Sequence, residues 1–126
     1  MMSIENYLKE NEKVILEKLF GLIRIPSISA ESEHKQDMYK TAEYWKHILL
    51  EAGVDKAEVC ETKGNPIVYA EKTINKNAPT VLVYAHYDVM PVEPLELWKT
   101  NPFEPVIVDG KIYARGADDD KGQSFM

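Results

Sequence analysis

A histidine and an aspartate two residues apart, His86 and Asp88 in "YAHYDVMP", and three consecutive aspartates, Asp118, Asp119 and Asp120 in "ARGADDDKGQ", are the residues whose types and spacing could do chemistry. In extended backbone, positions i and i+2 share a face, so the His86 and Asp88 side chains point the same way. An imidazole that ligates a metal through one ring nitrogen needs its other N–H held by an acceptor, and a carboxylate at i+2 can fix its tautomer and orientation. Taken alone, the pair fits a plain hydrogen-bonded couple as well. The aspartate run also has two readings. A single acid can cap a helix that begins near Asp118, but three adjacent carboxylates repel, and the extra acids ask for a cation or for solvent. A calcium loop fails on spacing: with Gly122 at its sixth place, the first would be Ala117 and the fifth Lys121, neither of which suits that motif. A borderline divalent cation held by imidazole from one segment and carboxylate from the other fits better. His86 and Asp119 are 33 residues apart, so the chain between them must return to the same place.

The elements that would position these residues can be read from periodicity. From Ser3 to about Ile23, Ile4, Leu8, Ile15, Leu19 and Leu22 share one face of a 3.6-residue period, and Ser3 can cap the start. After the breaking loop "RIPSISAES", the positions Met38, Ala42, Trp45, Leu49 and Ala52 predict a second amphipathic helix, ended by Gly53. Lys35, Lys40, Glu43 and Lys46 fall on its solvated side. Beyond Gly53 the period shortens, and "AEVCET" and "PIVYAEK" read as strands. The run Val81–Ala85 has no alternation, which predicts a strand covered on both faces, as in a sheet between helix layers. His86 then lies at that strand's carboxyl end, where open α/β sheets bind ligands. Asp88 to Pro105, with Pro91, Pro94, Pro102 and Pro105, reads as a long stiff connection, and Asp109-Gly110 as a two-residue hairpin turn. The fold class expected is α/β.

Composition narrows the function classes. A hydrophobic content of 44% with 29% charged residues fits an ordinary folded protein. A net charge of -6, with no basic cluster, disfavours nucleic acid. No apolar run approaches membrane-spanning length and the N-terminus lacks signal-peptide order, so the expectation is a cytoplasmic protein without a membrane partner. Cys60 is the single cysteine, expected as a half-buried strand residue.

The stretch "YAHYDVMPVEPLELWKTNPFEPVIVDGKIYARGADDDKGQ" resembles the M20 family of dinuclear zinc metallopeptidases, and within it the dipeptidase and carnosinase-like branch. The likeness rests on H-x-D-x-x-P at His86, Asp88 and Pro91, on Trp98, on "PFEPVI" at Pro102–Ile107, on the Asp109-Gly110 turn and on "RGADDDKG" at Arg115–Gly122. "IPSIS" at Ile25–Ser29 extends it over nearly the whole chain. The resemblance implies a three-layer helix-sheet-helix fold, of which residues 1–126 would be the N-terminal portion of a single catalytic domain. It implies that His86 is a terminal ligand of one zinc ion, that Asp119 bridges two, and that Asp88 is the catalytic-site acid that orients His86. It also implies a cis peptide at Asp119-Asp120. Asp118 departs from the small or hydroxyl residue usual in the family and receives no role.

The activity implied is hydrolysis of small peptides by two zinc ions that share a water, with a glutamate as proton acceptor. In the family that glutamate, its neighbouring ligand glutamate, a further acidic ligand and a final histidine follow the D-x-K-G segment. His34 and His47 match no ligand position and read as surface histidines. The chain by itself is therefore expected to be inactive. The alternative is a non-catalytic short α/β protein that binds a metal or a peptide partner. Association into a homo-oligomer is a further expectation, because family enzymes are often dimers through an inserted lid domain, and exposed edges here could be covered by another copy.

Overall fold

A computed structural model describes all 126 residues. Helix α1 spans Ile4–Ile23 and starts as expected, with the Asn6 N–H donating to Ser3 Oγ at 3.2 Å. Its apolar stripe is buried only in its last turns, at Leu19, Leu22 and Ile23, while Ile4 and Leu8 are exposed. The stripe gives the helix a face, but only its C-terminal part meets other elements. Helix α2 spans Lys35–Glu51, preceded by a 3₁₀ turn at Ser32–His34, and buries Met38, Thr41, Ala42 and Ile48. Gly53, with φ 90°, closes it in the left-handed region where glycine is favoured.

Strands β1 (Lys56–Cys60) and β2 (Ile67–Glu71) pair antiparallel, with Val59 opposite Val68, and α2 packs on this ribbon. Cys60 is half-buried at the end of β1. Strands β3 (Val106–Val108) and β4 (Lys111–Tyr113) form a second hairpin around Asp109 and Gly110. Both turn residues have positive φ, 50° and 74°, the combination a two-residue type I′ turn requires. The last helix, α3 (Lys121–Phe125), packs against α1. Mixed helices and strands bear out the α/β class.

The strand expected at Val81–Ala85 is the departure. No ladder partner meets it, and Val81, Leu82, Val83 and Tyr84 are all more than 80% exposed. Apolarity made these residues read as buried, but a strand acquires a ladder only from neighbours, and β1–β2 and β3–β4 each pair internally. Pairing begins farther along, at a parallel bridge between Ile28 and Val89. Around it lies the core: Leu22, Ile23, Ile28, Met38, Ala42, Val89 and Val92 are buried.

Candidate metal centre

The bridge between Ile28 and Val89 fixes the segment that carries His86 and Asp88. The Val89 N–H donates to Ser27 O at 2.9 Å, and the buried Ser27 hydroxyl donates to Tyr87 O at 2.7 Å. Residues 86 to 88 therefore stay extended, and the two side chains share a face as their spacing requires. His86 Nδ1 lies 3.0 Å from Asp88 Oδ1 and 3.2 Å from Asp88 O, while Asp88 Oδ2 accepts from Ser29 Oγ at 2.5 Å.

The aspartate loop arrives from the other side. Gly116, at φ 83°, turns the chain so close to Val89 that a Cβ there would lie 2.8 Å from Val89 Cγ1. Gly122 is tighter still, because a Cβ there would overlap the Ala117 carbonyl oxygen. Between these glycines the Asp119-Asp120 peptide is cis, as the sequence resemblance implies; Glu93-Pro94 is also cis. His86 Nε2 meets Asp119 Oδ1 at 3.1 Å, and the His86 backbone N–H donates to Asp120 Oδ2 at 3.2 Å. Asp120 precedes α3 but makes no side-chain cap. Its carboxylate is turned to His86 instead, so helix capping does not account for the acidic run.

Lys121 was not singled out from sequence, yet it is fully buried, with Nζ donating to Leu22 O and Ile25 O, each at 2.7 Å. It ties the aspartate loop to the C-terminal end of α1. Burial pushes its ammonium down to about 7, against the opposing pull of Asp37 and Asp88. The signal available in the sequence was a lysine beside three acids, which reads more simply as a surface ion pair. Arg115 has a comparable function on the proline-rich connection: Nη2 donates to Pro91 O at 3.1 Å and the guanidinium stands 5.1 Å from the Trp98 ring centroid. Trp98 in turn donates from Nε1 to Val92 O at 2.9 Å.

Electrostatics at His86 follow from these contacts. Burial pulls its pKa down, but the hydrogen bond and charge of Asp88, with the charge of Asp120, outweigh that and raise it. Tyr87 is pushed up to about 12 by burial and by the neighbouring Asp88 charge. One imidazole nitrogen and one carboxylate oxygen, from segments far apart in sequence, thus converge, with a second carboxylate on the imidazole's other nitrogen. That donor set suits a borderline divalent cation.

The other histidines divide. His47 is on the exposed side of α2, with Nε2 3.2 Å from Glu51, as expected. His34 is half-buried rather than a surface residue, because Nδ1 sits 2.8 Å from Asp37 Oδ2 in the first turn of α2. Glu31, Glu33 and His34 offer ligand atoms within 4.8 Å of one another, a group the sequence did not suggest. Asp118 is exposed.

The chain is similar to known proteins over much of its length. Residues 82–126 match the sequence profile of peptidase family M20/M25/M40. A cysteinylglycine-S-conjugate dipeptidase of Corynebacterium striatum is 32% identical over 119 residues, covering 94% of this chain and 26% of that protein. Human carnosine dipeptidase 1 superposes with a TM-score of 0.85 at 25% identity, over 94% of this chain and 27% of its own. An M20 family metallo-carboxypeptidase of Sulfolobus solfataricus superposes at 0.78 with 46% identity, over 88% and 24%. The chain spans about a quarter of the length of these relatives.

Proposed function

From a chain that belongs to the M20 peptidase family, we propose that residues 1–126 act as the N-terminal portion of the catalytic domain of a zinc-dependent peptidase that hydrolyses small peptides. The observation that carries this reading is the convergence of His86 Nε2 and Asp119 Oδ1 at 3.1 Å, with Asp88 on the opposite ring nitrogen. His86 and Asp119 would hold zinc, with Asp119 the residue shared between two ions. A bound zinc ion supplies Lewis acidity toward the scissile carbonyl and lowers the pKa of its water.

The chain's own residues prepare that chemistry. Asp88 accepts a hydrogen bond from His86 Nδ1–H, which keeps the proton on Nδ1 and leaves the Nε2 lone pair for the cation. Lys121 and the two close-packed glycines hold the loop that presents Asp119. Two protein ligands are fewer than the three that a catalytic zinc site takes along with its water, so the 126-residue chain alone binds zinc weakly and does not turn over substrate.

The reading is tested by zinc titration of the chain, followed by a dipeptide hydrolysis assay on it and on the natural polypeptide that carries it. Zinc binding that is lost in His86→Ala, with hydrolysis only by the longer polypeptide, is the expected result. Absence of zinc binding would reject the ligand assignment, and turnover by the 126-residue chain would reject its catalytic insufficiency.

A further inference from the structure

The segment Ile25–Ser29 has no place in the ligand set, yet it bridges to the segment bearing His86 and Asp88. The Ile28–Val89 bridge sets its register, and the buried Ser27 is consumed in holding Tyr87 O. Two residues on, Ser29 reaches the Asp88 carboxylate, with its hydroxyl 2.5 Å from Oδ2. A serine hydroxyl facing an ionised carboxylate can only donate, and such charge-assisted bonds are short and strong.

We propose that Ser29 is a positioning residue for the metal centre: by binding Asp88 Oδ2 it fixes the carboxylate plane so that Oδ1 remains the acceptor of the His86 Nδ1 proton. The proposal rests on the metal-site reading above. The physical need for Ser29 comes from the aspartate side chain itself. Its terminal torsion is broad and two-fold, so a carboxylate held through one oxygen can swing. His86 stands between two carboxylates, Asp88 at Nδ1 and Asp119 at Nε2, at nearly equal distances of 3.0 and 3.1 Å. Which nitrogen of the neutral ring keeps the proton depends on which acceptor is better fixed. Ser29 tips that balance toward Nδ1–H, and a free Nε2 lone pair is the form that ligates a metal.

The test uses the 126-residue chain as wild type, Ser29→Ala and Ser29→Thr, with far-UV circular dichroism to establish that each is folded. Imidazole nitrogen shifts of His86 are recorded without metal at alkaline pH, where the ring is neutral, and zinc affinity is measured by competition with a chromophoric chelator. The expected results for Ser29→Ala are a larger share of the Nε2–H tautomer and zinc binding weakened about tenfold, the low end of what outer partners of ligating histidines contribute. Ser29→Thr, which keeps the hydroxyl, restores both. An unchanged tautomer ratio in folded Ser29→Ala overturns the role of Ser29 whatever zinc does. A tautomer shift with no zinc binding by any variant, wild type included, supports Ser29 as the residue that orients His86 and overturns the metal reading instead.

Discussion

At the scale of single residues, the acidic run separates into three unlike members. Asp119 faces the His86 ring, Asp120 takes the His86 backbone N–H, and Asp118 is exposed. Substituting His86 by Ala removes one of the two proposed ligands and is expected to weaken zinc binding by more than the roughly 10–100-fold typical of outer partners. Asp118→Asn should leave it within about threefold, since the exposed acid acts only through a screened charge; titration of both variants compares the two. Gly122 answers to sterics rather than charge. A Cβ there meets the Ala117 backbone oxygen, so Gly122→Ala is expected to lower the unfolding free energy by several kcal/mol, on the order of 3. A urea midpoint equal to that of wild type would contradict so close an approach.

Among the elements, the joint between α1 and the aspartate loop is made by one side chain. Lys121→Ala removes a fully buried stem and the donors to Leu22 O and Ile25 O, and is expected to reduce stability by about 2–3 kcal/mol. Chemical denaturation measures this, and a change confined to a few tenths would mean the tether is dispensable. The first turn of α2 carries a pH dependence. Burial raises the Asp37 carboxyl, but hydrogen bonds from His34 and Lys40 outweigh it and hold its pKa below the ordinary value. The unfolded chain therefore binds more protons as pH falls, and this contribution is present above about pH 4 and lost as pH drops through the lower folded value. Asp37→Asn should flatten that part of the acid limb in urea midpoints measured across pH. An equally steep limb in the variant would assign the acid sensitivity elsewhere.

For the molecule as a whole, the core is thin. Only 16 of 126 residues are buried, so stability is expected to be modest, and an apolar run stands outside the core. Val81, Leu82, Val83 and Tyr84 present backbone outside any ladder together with exposed apolar side chains, a combination that can recruit another strand. Dye binding and light scattering by the chain are expected to fall when Leu82 and Tyr84 are replaced by Lys, with the far-UV spectrum unchanged. Persistence of both signals in the double variant would locate the adhesive surface elsewhere. No helix is long and apolar enough to cross a membrane.

The sequence by itself determined what local physics controls. A 3.6-residue period placed α1 and α2, adjacent β-rich runs placed β1 and β2, Asp109-Gly110 dictated the β3–β4 turn, and i+2 spacing put Asp88 beside the His86 ring. Motif likeness pointed to Asp119 as the distant partner, but no local rule could show that it reaches His86. That meeting depends on Lys121 bonding across 99 residues to α1 and on glycines that let Ala117 and Val89 come close. Burial was decided at the same level. The same apolarity that sends Leu22 into the core leaves Leu82 in solvent, because burial belongs to the neighbours a residue finds and not to the residue itself.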